Sequence, residues 1–340
     1  MAKLETQYMG LDLKNPIIIG ANNLVTDTEN LKRIEKAGAA AVVYKSLFEE
    51  QVQLENLELF ERKTEYEDRN AEMVTLFPGS GSVQQSPLEY LLNLKKAKEA
   101  LSIPLFASLN AVNDETWVEY AIKIEETGVD GIELNFYSLP ENFNRGGDSI
   151  EKQQLDTLKK VKSAVHIPVS VKLSPYYTNA LKFISDLDRS GVDAVVLFNR
   201  MLHPDIDIDS GQHYFPYNLS NPDDSRLPLR FAGLLYGNIN ASVCANSGIF
   251  TGYDVIKMIL AGAGSVQIVS TLYQNKIEVI SKILVEIEKW MDSNGYKNIE
   301  SFRGRVSRNV TDNKLPYQRA QYVDFMMNAE EILKKYRIIN

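Results

Sequence analysis

Short apolar runs recur along the chain, each bounded by glycine, proline or polar residues, and they predict eight buried β-strands. Four of the runs start just after a glycine that ends a helical pattern. The other four have a different entry, which in three cases is a proline followed by apolar residues. The two kinds of run alternate strictly, and in chain order they occupy 15–20, 37–45, 103–108, 127–135, 167–172, 190–199, 239–245 and 261–270.

Amphipathic helical patterns fill most of the gaps between these runs. The pattern at 87–100 opens with Ser86, Pro87 and Glu89, which match a capping box with proline at the first helical position. The predicted helices lie at 28–37, 87–100, 115–127, 150–164, 178–189, 252–261 and 275–292.

Eight successive strand–helix units with almost continuously apolar strands predict a parallel sheet covered by helices, and therefore a (β/α)8 TIM barrel. An open doubly wound sheet is the alternative. The barrel is favoured because there are eight units and because no G-x-G-x-x-G sequence follows the first strand. In a barrel the carboxyl ends of the strands and the loops after them form the active face, so we expect the chemistry there.

Two loops at this face are enlarged, at 46–86 after the second strand and at 200–230 after the sixth, as is typical of lids and binding walls. Alternating residues from Asp205 onward predict one arm of an exposed hairpin within the later loop. We place the barrel domain at 1–305 and a C-terminal helical extension at 306–340, which packs either on the barrel or on a partner subunit.

Composition and charge narrow the function. The chain is 44% hydrophobic and 24% charged, and its net charge of −8 comes without a Lys/Arg-rich block, which argues against nucleic-acid or anionic-membrane binding. Cys244 is the only cysteine, so a disulfide framework and a thiolate metal site are excluded, and its place in a strand indicates a core thiol. The sequence has no apolar signal core and no membrane-length run, so we expect a cytoplasmic protein.

The stretch 241–274 has the pattern of a phosphate-binding site. One strand ends at Ser247 and Gly248, a helix follows, and the next strand ends at Ser270 and Thr271. Backbone N–H groups and helix N-termini attract an anion, and small residues let it approach closely. The alternative is that these residues only form tight turns.

Polar residues gather at the predicted strand ends. Lys45 and Lys172 are the most informative, because a buried ammonium without a partner is costly and must find an anion or an acceptor. A single such lysine is compatible with a structural ion pair, whereas two lysines with several carboxamides indicate a site for a flat, electron-rich, phosphate-bearing cofactor. The full set is Asn22, Lys45, Ser46, Ser108, Asn110, Asn135, Lys172, Asn199, Asn246 and Ser270.

Several segments together resemble the dihydroorotate dehydrogenase family of FMN-dependent (β/α)8 flavoenzymes, and its soluble cytosolic branch most. The matching segments are MGLDLKNPIIIGAN at 9–22, YKS at 44–46, GIELN at 131–135, VSVKLSP at 169–175, the glycine-rich NSGIFTGYDVIKMILAGAGSVQIVSTL at 246–272 and YKNIESFRGR at 296–305. The resemblance covers most of residues 5–305. It implies FMN as cofactor and oxidation of a dihydropyrimidine, as in pyrimidine biosynthesis.

The resemblance also implies roles for single residues. Lys172 would face the polar edge of the flavin ring, where a cation stabilises the charge of reduced flavin. Lys45 would lie beside flavin and substrate as a catalytic residue, and Ser138 falls at the position of the general base. The residues assigned to FMN are Gly20, Ala21, Lys45, Ser46, Asn110, Asn135, Lys172, Asn199, Ser247, Gly248, Ser270 and Thr271. The residues assigned to the substrate are Asn135, Asn199 and Arg200.

The chain departs from the family pattern around the substrate. Leu139 and Pro140 replace the family's Pro-Asn pair directly after the base, and Arg200 follows Asn199 where the family has serine or threonine. The family's asparagine-containing segment after the second strand is absent, and TLFPGSGSVQQ stands at 75–85. The residues that the family uses for flavin are thus largely preserved, whereas those that it uses for substrate are partly replaced. We therefore expect dihydroorotate to be a poor substrate.

The leading hypothesis is an FMN oxidoreductase that removes a hydride from a dihydropyrimidine-type CH–CH bond while a serine assists removal of the proton. A divergent FMN-binding paralogue with another substrate or no turnover is one alternative. A phosphate-binding or Schiff-base lyase that uses Lys172 or Lys45 as its nucleophile is another. We expect a small-molecule substrate, a homodimer, and no metal, nucleic-acid or membrane partner.

Overall fold

The computed structural model describes residues 2–51, 53, 86–138, 143–201, 203–214, 216 and 219–331. Eight parallel strands close into a barrel with helices between them, which confirms the predicted (β/α)8 fold. The strands follow chain order around the ring, and the last strand pairs with the first through Val266 and Ile17. The proposed boundary at residue 305 stays a prediction.

The barrel strands coincide with the eight apolar runs. Every residue of several of these strands is buried, because helices cover the outside of the sheet while side chains fill its inside. In chain order β3, β4, β6 to β9, β12 and β13 form the barrel, and the strands are β1 (Thr6–Tyr8), β2 (Leu11–Leu13), β3 (Ile17–Ile19), β4 (Ala41–Val43), β5 (Leu47–Phe48), β6 (Leu105–Asn110), β7 (Gly131–Phe136), β8 (Val169–Leu173), β9 (Ala194–Leu197), β10 (Asp205–Asp207), β11 (Gln212–Tyr214), β12 (Ser242–Asn246) and β13 (Ser265–Ile268).

The helices are α1 (Thr28–Ala37), α2 (Pro87–Ala100), α3 (Asp114–Glu125), α4 (Gly147–Ala164), α5 (Ala180–Arg189), α6 (Arg226–Leu235), α7 (Gly252–Ala261), α8 (Ser270–Asn275), α9 (Val279–Ser293) and α10 (Ala320–Met327). Ser86 is the N-cap of α2, since its Oγ accepts a hydrogen bond from the Glu89 N–H at 3.2 Å, which is one of the two bonds of the predicted capping box. Helix α6 was not predicted, and the expected end of the enlarged loop at residue 230 is wrong, because the helix already begins at Arg226. The helix contains Pro228. Proline is tolerated there because it lies in the first turn.

The end of the barrel opposite the active face is closed by the β1–β2 hairpin. Tyr8 and Met9 from this hairpin pack in the interior with Phe106 and Cys244. Burial raises the pKa of the Cys244 thiol to about 12, so the thiol stays protonated in a core position, as its place in a strand indicates. The open end of the barrel therefore lies at the carboxyl ends of the strands.

The two enlarged loops are described in part. Most of the loop after the second strand, including 75–85, lies outside the described residues. The loop after the sixth strand contains an antiparallel hairpin in which Asp205 pairs with Tyr214 and every residue of both strands is exposed, which confirms the predicted hairpin arm.

The segment after the barrel is held by a few contacts. Arg230 donates a hydrogen bond to the Pro316 carbonyl at 2.6 Å, and the Tyr317 hydroxyl donates to the Val306 carbonyl at 2.8 Å. Helix α10 follows and has no buried residue. Across the described part of the chain, no helix combines the length and apolar character that a membrane crossing requires.

Candidate active site

A cavity of about 420 Å³ lies at the carboxyl ends of the barrel strands. This volume falls within the range of small-molecule and cofactor sites. Most of the residues assigned to FMN or substrate line the cavity, namely Ala21, Ser46, Asn110, Asn135, Lys172, Asn199, Arg200, Ser247, Gly248 and Ser270.

Four of the assigned residues, all among those described, do not line the cavity. Gly20 lies behind its wall, where an added Cβ would meet Val269 Cγ2 at 2.9 Å. Thr271 is fully buried in the same region, and its hydroxyl donates to the Phe250 carbonyl at 3.5 Å. The other two are Lys45 and Ser138, both half-buried.

A buried network of three side chains lies at the floor of the cavity. Lys172 Nζ donates a hydrogen bond to Gln267 Oε1 at 3.2 Å and lies 3.9 Å from Glu133 Oε1. Gln267 Nε2 donates to Glu133 Oε2 at 2.5 Å. Because the ammonium and the carboxylate are both buried, each offsets part of the other's cost of leaving water.

The register of the strands produces this network. Asn135 of β7 pairs with Lys172 of β8, so their side chains emerge side by side at the barrel mouth. Glu133 lies two residues before Asn135, and side chains two residues apart in a strand point to the same face. The Glu133 side chain therefore lies in the barrel interior, one layer of side chains below that of Asn135.

Sequence reasoning missed Glu133, Gln267, Tyr137 and Ser220, which all line the cavity. A signal was available for the first two. Each is a large polar residue within an apolar run that the pattern assigns to a fully buried strand. Such a residue must find a partner inside the barrel, because burying an unpaired polar group is costly.

Carboxamides fix the upper wall of the cavity. Asn199 Nδ2 donates to Asn135 Oδ1 at 2.8 Å, which links the ends of β9 and β7. Asn246 Nδ2 donates to the Phe198 carbonyl at 2.7 Å, and the Ser247 hydroxyl donates to the same oxygen at 3.2 Å. These contacts tie the ends of neighbouring strands to one another.

The glycine-rich end has the backbone of an anion cradle. Ser247 and Gly248 have φ values of 81° and 70°, in the left-handed region, and this turns the chain sharply at the cavity. A Cβ at Gly248 would lie 2.2 Å from the Ser225 backbone nitrogen. Only glycine fits there, because the segment leading into α6 lies directly against it.

Ser220 joins the later enlarged loop to this cradle. Its backbone N–H donates to Ser270 Oγ at 2.9 Å, and its hydroxyl donates to the same oxygen at 2.8 Å. Ser270 is also the first residue of α8. The loop and the cradle are therefore directly connected at the point where a phosphate would be expected.

A second set of hydrogen bonds fixes the start of the loop after the second barrel strand. Glu49 is 2% exposed, and its Oε2 accepts hydrogen bonds from the N–H groups of Val112 and Asn113 at 2.5 and 2.8 Å. Nearby, the Ser46 and Ser108 hydroxyls are hydrogen-bonded at 2.7 Å. The start of the loop after the second strand is thus fixed to the loop after the third.

Comparison with known proteins identifies the family. The family model described as dihydroorotate dehydrogenase matches residues 3–291. The chain belongs to the dihydroorotate dehydrogenase family. Members of this family are FMN-dependent oxidoreductases that act on a CH–CH group. The match includes every cavity-lining residue, and it leaves α10 outside.

Relatives within the dihydroorotate dehydrogenase family share the name dihydroorotate dehydrogenase B (NAD(+)), catalytic subunit. The protein of Methanocaldococcus jannaschii is 28% identical over 84% of this chain and 92% of its own length. That of Thermoplasma volcanium is 29% identical over 89% of this chain and 98% of its own length. That of Methanocella arvoryzae is 30% identical over 87% of this chain and 95% of its own length.

Proposed function

We propose that this chain is an FMN-dependent oxidoreductase that oxidises a CH–CH bond in a dihydropyrimidine-type substrate. The observation that carries the proposal is one cavity with two ends, the buried ammonium of Lys172 at one and the Ser247–Gly248 cradle at the other. FMN has a flat ring that gains negative charge on reduction, joined to a phosphate. The two ends provide a cation for the ring and backbone N–H groups for the phosphate.

The residues present fit FMN at the phosphate end. The left-handed backbone at Ser247 and Gly248 turns the chain at the cavity, and successive N–H groups in such a turn can face an anion. Ser270 is the first residue of α8, and the leading N–H groups of a helix lack carbonyl partners within the helix. Ser220 directs its N–H and hydroxyl to Ser270 Oγ, so the hydrogen of the Ser270 hydroxyl itself is left to donate to a phosphate.

At the ring end the protein supplies charge and orientation. FMN, when bound, provides the acceptor for a hydride from the substrate. Lys172 would stabilise negative charge at the polar edge of the ring, and Asn110 would contribute a carboxamide to the same wall. Asn135 and Asn199, which already hold each other, would orient the substrate. Arg200 would bind its polar or anionic group, although Asp224 lies 3.7 Å from Arg200 Nε and competes for that charge.

The proton from the second carbon of the substrate requires an acceptor. We assign it to Ser138, which is half-buried and follows directly after the cavity-lining Tyr137. A serine hydroxyl is a weak base, so it would pass the proton to water. Lys45, half-buried beside the cavity-lining Ser46, would have to turn toward the cavity to hold a substrate anion close to the ring.

Purification tests the proposal directly. We expect a yellow protein with one non-covalent FMN per chain, and slow reduction of that flavin by dihydroorotate because the substrate end is rewritten. Absorbance spectra and mass spectrometry of the released cofactor give the readout. A colourless protein that does not bind added FMN would remove the proposal, and it would favour the lyase alternative with Lys172 or Lys45 as nucleophile.

We also propose a homodimer with a small-molecule substrate. The names of the relatives describe a catalytic subunit of an NAD(+)-dependent enzyme, which supports a further subunit beside this chain and NAD(+) as the final electron acceptor. Analytical ultracentrifugation of the purified chain checks the dimer. A mass equal to one chain at all concentrations would contradict it.

A further inference from the structure

Glu133 is the only carboxylate among the described residues that line the cavity, and it is 1% exposed. One of its oxygens, Oε2, accepts a hydrogen bond from Gln267 Nε2. The other, Oε1, has no hydrogen-bond partner and lies 3.9 Å from Lys172 Nζ. A buried acid in this position needs a reason, because a carboxylate in a barrel interior is costly unless a cation balances it.

Gln267 connects the two charged groups. Its amide oxygen accepts from Lys172 and its amide nitrogen donates to Glu133. A side-chain amide bonded at both ends has only one favourable orientation, so the carboxylate fixes the amide and the amide in turn fixes the ammonium. The three side chains thus act as a chain of contacts that ends at the cavity.

We propose that Glu133 is a positioning residue that balances the charge of Lys172 and so sets the reduction potential of the flavin. Through Gln267 it holds the Lys172 ammonium at the cavity floor. Its own negative charge limits how strongly the site favours reduced flavin. The inference rests on the proposed function in one respect, which is that FMN occupies this cavity.

Charge counting gives distinct expectations for three variants. The wild-type pair is neutral, Glu133→Gln leaves one positive charge, Lys172→Met leaves one negative charge, and the double variant is neutral again. We expect Glu133→Gln to shift the reduction equilibrium of bound FMN about tenfold toward the reduced form, which is about 30 mV upward for a two-electron couple. Lys172→Met should shift it at least tenfold the other way, and the double variant should return close to wild type.

Potentiometric titration of the four FMN-loaded proteins measures these shifts, with Glu49→Gln as the matched control. Glu49 is a buried carboxylate at the same end of the barrel that does not line the cavity, so its variant should keep the wild-type potential. A merely structural Glu133 would alter stability and leave the potential unchanged. A Glu133→Gln potential equal to wild type, or lower, would overturn the proposal.

Thermal unfolding of the proteins without FMN gives an independent readout. Each single variant leaves one buried group without its partner, so each should lower Tm, and the double variant should lower it by less than the sum. If the Tm losses of the two single variants simply add up in the double variant, the proposed coupling of Glu133, Gln267 and Lys172 is contradicted. If Glu133→Gln does not fold, the double variant, with no unpaired charge, is compared with Lys172→Met, and equal potentials would overturn the proposal.

The two readouts separate this inference from the proposed function. A wild-type protein that binds no FMN contradicts the proposed function, while the unfolding cycle still decides whether the three side chains act as a unit. A wild-type protein that binds FMN with additive unfolding effects and unshifted potentials contradicts only the role of Glu133.

Discussion

The phosphate end and the substrate end of the cavity differ in how their residues are held. At the phosphate end, backbone conformation at Gly248 and a double hydrogen bond from Ser220 to Ser270 fix the cradle. At the substrate end, Ser138 stands outside the cavity lining, and 139–142 lie outside the described residues. Under the proposed function, cofactor binding would depend mainly on backbone geometry, whereas substrate choice would depend more on side chains of the loops, which diverge more easily.

The largest effect is expected at the substrate end. Ser138→Ala should slow reduction of the flavin by substrate by about 10²–10⁴-fold, the usual contribution of a general base, while FMN stays bound. Stopped-flow absorbance of the flavin measures the rate. Tyr137→Phe is the comparison, because that ring lines the cavity. If flavin reduction is slow in Tyr137→Phe and keeps the wild-type rate in Ser138→Ala, the proton acceptor is Tyr137 and the assignment to Ser138 is contradicted.

The next effect belongs to the ring end. Lys172→Met should slow flavin reduction by about 10²–10³-fold, because it removes a charge that stabilises the reduced state, and it should weaken FMN binding. The same rate measurement and a cofactor titration check both parts. Lys182→Met, at an exposed lysine paired with Asp186, is the control for loss of a positive charge and should leave both unchanged. Equal rates for Lys172→Met and wild type would remove Lys172 from the site.

Gly248→Ala tests the phosphate end. Its methyl group would meet the Ser225 nitrogen at 2.2 Å and would stand on a left-handed backbone. Overpacking of this kind costs about 1–3 kcal/mol of folding stability, and a turn that relaxes away from the cradle loses up to the same free energy from binding, so FMN affinity should fall by up to about 150-fold. Gly211→Ala is the matched control, since Gly211 also has a positive φ but no atom within 4 Å of its added Cβ. Unchanged FMN affinity in Gly248→Ala would place the phosphate elsewhere.

The smallest effect concerns the link between the loop and the cradle. Ser220→Ala removes one of the two hydrogen bonds to Ser270 and keeps the backbone one. A hydrogen bond of this kind contributes about 0.5–1.5 kcal/mol, so FMN affinity should fall by about twofold to thirteenfold at most. Fluorescence titration measures it, with Ser149→Ala, at an exposed serine bonded to the Gly146 carbonyl, as the control. Equal losses in both variants would mean that the link to Ser270 has no special role.

The sequence predicts the fold because its signals are local and repeated. Each barrel strand coincides with an apolar run, and Pro87–Ala100 and Gly252–Ala261 agree with the predicted bounds because capping residues mark their starts. The helix Arg226–Leu235 was missed because Pro228 resembles a loop signal although it lies in the first helical turn. Local sequence patterns therefore predict the boundaries of helices and strands, and the prediction fails where a residue is common both in loops and in the first turn of a helix.

The candidate site is less accessible from sequence, because its contacts join distant residues. Ser247, Gly248 and Ser270 stand in one recognisable stretch and reach the cavity together. Glu133 and Gln267 lie 134 positions apart, and only the closure of the barrel brings them within hydrogen-bonding distance. Pairings of this kind depend on strand register around the whole ring, which no short motif contains.

The anchor at Glu49 has a consequence for protein engineering. Its carboxylate accepts hydrogen bonds from the N–H groups of Val112 and Asn113. The start of the loop after the second barrel strand is therefore bonded directly to the loop after the third. A chimera that takes the whole loop from a relative would leave these part-buried N–H groups without an acceptor unless it retains a glutamate at position 49. Each unpaired group would cost about 1–3 kcal/mol of stability. Loop exchange aimed at new substrates should therefore begin after that residue.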